Sequence, residues 1–276
     1  MINSKFHIFD LFDIPVYIDI SLVVLLLMFV TDGGGFLDGI TCALLLLFSI
    51  TAHEFGHALT ARSFGYDTRD ITLSLLGGCA SLIALPRRAS QEFLTAVAGP
   101  AVSFALSLVG VACITALASE GGFFDALDLV MTTVVQSFGF DANFSGTIAV
   151  SPSVAHAVEK MAYFAIMNAM LGLFNLLPGF PMDGGRVFRS AMRPFLSRPK
   201  ATYVAMVVGR VVAVAIALSG VWRLLNGRSW GLVSMLIAWM IWKEGYREYQ
   251  LARMESSWEY EDFRVRVSPP PYGDDN

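Results

Sequence analysis

Residues 41–61 read TCALLLLFSITAHEFGHALTA. The first half is an unbroken apolar run, and the second half sets His53, Glu54 and His57 in the same stretch. About 20 apolar residues let a helix cross a bilayer. An ionisable group inside such a helix costs about 2.5–3.5 kcal/mol on insertion scales, so it is rarely idle. Positions i and i+4 of a helix share one face. His53 and His57 can therefore present two imidazoles to one ion, and Glu54, about 100° round the helix, can reach a water on that ion. The pattern is HExxH: two neutral imidazoles suit zinc, and one carboxylate suits a general base. With four His and nine Glu in 276 residues, chance gives this spacing in roughly 0.002 of such chains, so the false-positive risk of the motif is small.

The rest of the chain agrees with a lipid setting. Apolar residues make up 55% and charged residues 15%, with a mean hydropathy of +0.60. Soluble domains run nearer about 45–50% and about 25%. Disorder and disulfide-rich packing are excluded. The net charge of −4 carries no basic surplus for nucleic acid. Cys42, Cys79 and Cys113 lie in apolar stretches without metal-ligand spacing and read as small core residues. Six apolar stretches are long enough to matter: 12–30, 40–61, 92–118, 157–177, 201–225 and 230–247. Asp13, Pro15 and Asp19 interrupt the first, which reads as a retained helix. Basic residues separate by side. Lys5, Arg62, Arg69, Arg87, Arg88, the 186–200 group and the C-terminal group fall on one face, whereas 31–39 and 119–153 contain none. Six spans thus put both termini in the cytoplasm. The expected fold is an all-α polytopic membrane protein with about six transmembrane helices. Residues 70–85 add a small β-hairpin turning at Gly77-Gly78, near the cytoplasmic side. Residues 119–153 form an outer loop whose apolar patch, Leu127–Val135, is suited to the membrane surface. Residues 1–247 make the membrane domain, and 248–276 a charged cytoplasmic tail.

A catalytic zinc takes three protein ligands and keeps one position open. His7 precedes the first span in a strand-like stretch, and His156 opens span four on the outer side. Neither suits the site, which leaves a carboxylate. The end of span four reads FNLLPGFPMDGGR, 174–186. Two prolines and three glycines will not hold a regular helix there. Irregular backbone at membrane depth is tolerated only inside protein or beside a water-filled cavity. Spans two and four both run inward, so Asp183 and HEFGH share the cytoplasmic third. Alone, Asp183 would read as a carboxylate at a helix N-terminus; beside an HExxH at matching depth it reads as the third ligand. Arg210 lies about nine residues into span five, some 14 Å from the cytoplasmic face. Substrate binding, pairing with an acid and snorkelling all suit it.

HEFGH and NLLPGFPMDGGR together resemble the site-2 protease family of intramembrane zinc metalloproteases. Ile14–Ile18, LSLLGGCASL and Ala98-Gly99-Pro100 are similar to that family's accessory motifs, so the resemblance spans most of the chain. It implies one zinc per chain held by His53, His57 and Asp183, with Glu54 activating water. It also favours Asn175 as a catalytic residue, because a side-chain amide can donate to a developing oxyanion. The PDZ and CBS domains of some members have no room here. The implied activity is endoproteolysis in or near transmembrane segments. The implied partners are a membrane-spanning or membrane-tethered substrate, the lipid bilayer and a regulatory membrane protein. The protein would be multi-pass in the cell membrane, with its active site near the cytoplasmic face. A competing reading is a non-proteolytic metal-binding membrane protein, a transporter or chaperone. A transporter would string ligands through the bilayer, whereas these cluster at one side.

Overall fold

The computed structural model describes the backbone of residues 5–23, 26–27, 35–74, 77–83, 86, 88–137, 142–227 and 231–267. It divides into two compact units, Met1–Leu176 and Leu177–Asn276.

In the first unit β1 (Lys5–Leu11) and β2 (Ile14–Asp19) form an antiparallel hairpin. Its turn, Phe12-Asp13, has φ of 53° and 59° at both residues. A primed two-residue turn demands that backbone. Asp tolerates it and Phe does not, and two contacts hold Phe12 in place. Arg62 Nη1 donates to Phe12 O at 2.8 Å, and the Phe12 ring stands edge-on to Phe55 at 5.8 Å. Helix α1 (Phe36–Ser63) follows, then β3 (Thr68–Ser74) and β4 (Gly77–Leu82). The sheet order is β1-β2-β3-β4, with β2 parallel to β3 and β3 antiparallel to β4. Alternation divides the sheet into two faces. Ile14, Val16, Ile71 and Leu73 pack with Ile50, Phe55 and Ala58 of α1. Asp70 and Thr72 alternate with Ile71 and Leu73 on β3 and turn to the other face, where Lys5 Nζ donates to Thr72 Oγ1 at 2.8 Å. Burial pushes the Asp70 carboxyl upward, but hydrogen bonds from Arg69 and Ser81 and the charges of Arg69 and Lys5 outweigh it and hold the group below its ordinary value.

Helix α2 (Ala89–Leu117), α3 (Phe123–Ser137) and α4 (Ala155–Asn175) complete this unit. Val111 and Ile114 of α2, Ala126, Val130 and Val134 of α3, and Val158, Ala165 and Ala169 of α4 form a second core. The apolar residues of α3 recur every fourth position, so the helix spends that face on α2 and α4. The patch expected at Leu127–Val135 is this helix, with Val130 and Val134 turned to the core.

In the second unit α5 (Asp183–Met192), α6 (Arg198–Leu225) and α7 (Gly231–Val267) follow one another. The main packing is α6 on α7, with α5 on α6.

Among the described residues four helices are long and apolar enough to cross a membrane: α1, α2, α4 and α6. The expected six are not confirmed among them. Residues 14–19 of the first expected span are strand β2, because Pro15 and the alternating Ile14, Val16 and Ile18 favour a sheet face over a helix. Residues 24–25 and 28–34 lie outside the described residues. From residue 231 onward the sixth stretch, 230–247, lies in α7, where Lys243, Glu244, Arg247 and Glu248 cut its apolar run short. The glycine pair is also not the hairpin turn. Gly77 and Gly78 pair with Ser74 and Leu73 as part of β4; residues 75–76 lie outside the described residues.

Candidate active site

Helix α1 carries His53, Glu54 and His57, all buried. The rings of His53 and His57 lie 4.9 Å apart, and their Nε2 atoms face each other at 3.2 Å. Both rings are held from behind by α2. His57 Nδ1 is 2.7 Å from Thr95 O, and a carbonyl only accepts. The proton of neutral His57 is therefore on Nδ1, and its Nε2 offers a lone pair. His53 Nδ1 is 2.9 Å from Ser103 Oγ, a fully buried hydroxyl. Metal-ligating histidines usually anchor their second nitrogen this way. Two nitrogens about 2.0–2.1 Å from a tetrahedral zinc stand roughly 3.3–3.4 Å apart, close to the spacing seen.

Gly99 of α2 leaves room for that pair. A Cβ there would overlap His57 Nε2 and come 2.7 Å from His53 Nε2. Gly56 lets the helices approach, since its Cβ would meet Ala98 O at 2.8 Å. Pro100 sits in the same turn of α2 and has no N–H to give the carbonyl four residues back. One turn earlier on α1, Ser49 accepts from Asn168 Nδ2 of α4 at 2.9 Å, which fixes α4 against the same face.

Glu54 turns to the sheet. One carboxylate oxygen, Oε2, accepts from the Ala80 N–H at 3.0 Å. A Cβ on Gly78 would overlap the Glu54 side chain and reach 2.6 Å from Oε1. β4 is the last strand of the sheet, so Ala80 spends on Glu54 an edge N–H that β3 does not take.

Asp183 belongs to the second unit, as the first residue of α5. The break foreseen after span four is present: α4 ends at Asn175, and no helix resumes before Asp183. The segment is held within its own unit. Phe180 is buried beneath the Arg189 guanidinium, 5.1 Å from the ring centroid, and Arg189 pairs with Glu248 at 3.1 Å. Gly179 packs on Gly209 of α6. Asn175 Nδ2 donates to Leu171 O of its own helix at 3.0 Å. That bond takes one of the two amide N–H groups, so an oxyanion role does not require it to break.

The two remaining histidines stand apart from this group. His7 is in β1, 3.1 Å from Asp10, and His156 pairs with Asp38 at 3.0 Å. Thr95 and Ser103 were not legible as ligand supports, although the Gly99-Pro100 motif marked their turn.

Comparison with known proteins adds an independent line. The model of "Peptidase family M50" matches residues 41–218. A putative zinc metalloprotease of Synechocystis sp. is 30% identical across 97% of this chain and 66% of its own length. A zinc metalloprotease of Methanocaldococcus jannaschii is 24% identical across 98% of this chain and 68% of its own. The putative zinc metalloprotease Rip3 of Mycobacterium tuberculosis is 34% identical across 75% and 45%. The chain thus spans about two thirds of the first two relatives and under half of the third. The site-2 protease structure from Methanocaldococcus jannaschii shares the fold, with a TM-score of 0.56 at 24% identity, over 89% of this chain and 95% of that one.

Proposed function

The chain belongs to peptidase family M50, and from that premise we propose that it is an intramembrane zinc endopeptidase. Its substrates would be membrane-spanning or membrane-tethered proteins, cut in or near their transmembrane segments. The observation that carries the reading is the imidazole pair, with Nε2 atoms 3.2 Å apart and outer nitrogens engaged by α2. His53, His57 and Asp183 are the ligands of one zinc. Zinc, when bound, supplies a Lewis acid and lowers the pKa of water. Glu54 is the general base, since it neighbours a ligand on the same helix. Asn175 is the candidate donor to the developing oxyanion.

A transmembrane helix hides its amides in its own hydrogen bonds, so the cut segment must be extended before attack. The outer edge of β4 offers a place for it by strand addition. An added strand there would take the Ala80 N–H, the group that Glu54 now accepts from. Substrate pairing and release of the base are then one event. Both termini are assigned to the cytoplasm, on the distribution of Lys and Arg, and residues 1–247 and 248–276 to a membrane domain and a cytoplasmic tail.

The test is hydrolysis of a single-span substrate by the purified chain and its Glu54→Gln variant in liposomes. General bases contribute about 10²–10⁴-fold. Glu54→Gln should keep its zinc and lose activity on that scale. Wild-type-like turnover by the variant would sink the assignment of Glu54. Strong helix formers around the cut site should slow cleavage, and indifference to them would sink the requirement for unwinding.

A further inference from the structure

On α7 the sheltered positions Ile241, Gly245, Glu248, Ala252 and Glu255 follow one another at spacings of four and three. That spacing keeps them on one stripe of the helix. Ile241 and Ala252 are buried, and Gly245 faces Met206 of α6. The stripe crosses residue 247, so the first turns of the charged tail are packed. It carries two carboxylates, and each meets an arginine of another helix. Glu248 pairs with Arg189 of α5 at 3.1 Å, and Glu255 pairs with Arg198 of α6 at 2.7 Å. Arg210 of α6 rests on the Trp242 ring at 4.6 Å, off this stripe.

The two pairs differ in setting. The Arg198–Glu255 pair is partly exposed, its side chains by 26% and 42%. The Arg189 side chain is only 4% exposed, and a buried charge must be met by a partner. Glu248 Oε2 accepts from Arg189 Nη1. The face of the same guanidinium lies over the Phe180 ring, 5.1 Å from its centroid. A planar guanidinium donates from its edge and stacks on its face, so holding the edge orients the face. Glu248 thereby sets where the guanidinium lies, and the guanidinium sets where Phe180 lies.

From Phe180 the path to Asp183 is short. Pro178 and Pro181 bring no backbone N–H to this segment, so side-chain contacts must fix much of it. A Cβ on Gly185 would come 2.8 Å from Gly179 C and 2.9 Å from Phe180 N, so the first turn of α5 lies directly on the 179–180 backbone. Gly179 in turn packs on Gly209 of α6 and Ile241 of α7. Asp183 opens the turn that rests on this backbone. What orients Phe180 therefore orients Asp183.

We propose that Glu248 is a positioning residue of the zinc centre: through Arg189 and Phe180 it holds the turn that presents Asp183. The inference rests on the reading of Asp183 as the third zinc ligand and concerns how that carboxylate is held. It gives the start of the charged tail a part in metal binding without making it a ligand.

The experiment measures the zinc affinity of the purified full chain by competition with a chromophoric chelator, with helical circular dichroism as the check on each variant's fold. Loss of a ligand's outer support costs about 10–100-fold, and Glu248 acts at one remove from such a support, so Glu248→Gln should lose about tenfold. Arg189→Lys keeps the charge but not the planar stack and should lose as much. Glu255→Gln breaks the other pair of the same stripe and should bind zinc as wild type does. Asp183→Asn should lose more than any of these, and adding Glu248→Gln to it should cost nothing further, because the clamp acts only through that carboxylate. Equal losses in Glu248→Gln and Glu255→Gln, or a further loss in the combined variant, would mean a general loosening of α7 and overturn the proposal. Wild-type affinity in Glu248→Gln beside a weakened Asp183→Asn would overturn it and leave the ligand reading standing. Wild-type affinity in Asp183→Asn would overturn the ligand reading and this proposal with it. If Glu248→Gln loses helical signal, Phe180→Leu, which keeps an apolar side chain but removes the ring beneath the guanidinium, decides by the same outcomes.

Discussion

At the residue scale, the imidazoles were legible because their relation is local: i and i+4 on one helix need no tertiary information. Their supports were not, because Thr95 and Ser103 sit 38 and 50 residues further along the chain. Only the crossing of α1 and α2 brings them together. That crossing makes Gly99 the most exacting position nearby. Gly99→Ala should remove bound zinc almost completely, since its methyl would occupy the space in front of both Nε2 atoms. Metal content by mass spectrometry checks this, with helical circular dichroism kept as in wild type. Ser103→Ala should be milder. Loss of a ligand's outer support typically costs about 10–100-fold in metal affinity, read by competition with a chromophoric chelator. Unchanged affinity would make Ser103 a packing residue only.

Among the elements, α1, α2, α4 and α6 follow from apolar length, and the break after α4 follows from its prolines and glycines. The sheet was half legible. Alternation at Ile71, Leu73 and Leu75 gave β3 and the segment around His7 already read as strand-like, but the strand character of β2 was masked by an apolar stretch that equally suits a helix. No Asn-Gly announced the turn at Phe12-Asp13. Gly78 misled because its freedom serves packing: it lets the Glu54 side chain lie against β4. Gly78→Ala should displace the Glu54 side chain as a whole, since the methyl would occupy its space, lowering turnover at least tenfold with zinc content unchanged. α3 carries a separate prediction. The backbone N–H and the hydroxyl of Ser145 donate to Asp128 at 3.0 and 3.1 Å, and these bonds hold the carboxyl below its ordinary value of 3.8. A lowered folded value stabilises the charged form. The tie between α3 and 142–146 is thus fully present above the ordinary value and lost as pH falls through the lower, folded one. A spin label at Asn143 should stay immobile down to about pH 4, in line with the ordinary range of aspartate, and gain mobility below it. Asp128→Asn should be mobile throughout.

For the whole molecule, the distribution of basic residues predicts that a cysteine at Ser137 is labelled from outside without opening the cytoplasmic compartment. Labelling only after opening would reverse the orientation. The parallel pairing of β2 with β3 bears on how the protein is made. Its two strands are separated by residues 20–67, which include all of α1. Parallel neighbours need a crossover, and closing a long one is slow because its entropy is spent before the contacts form. During synthesis the β1–β2 hairpin leaves the ribosome first and must wait with one edge unpaired. The sheet closes only when α1 has been delivered and β3 has emerged behind it. Completion of the sheet therefore reports that the intervening chain has been correctly inserted. A nascent chain halted before β3 would be the form most exposed to edge-to-edge aggregation and to quality-control proteolysis.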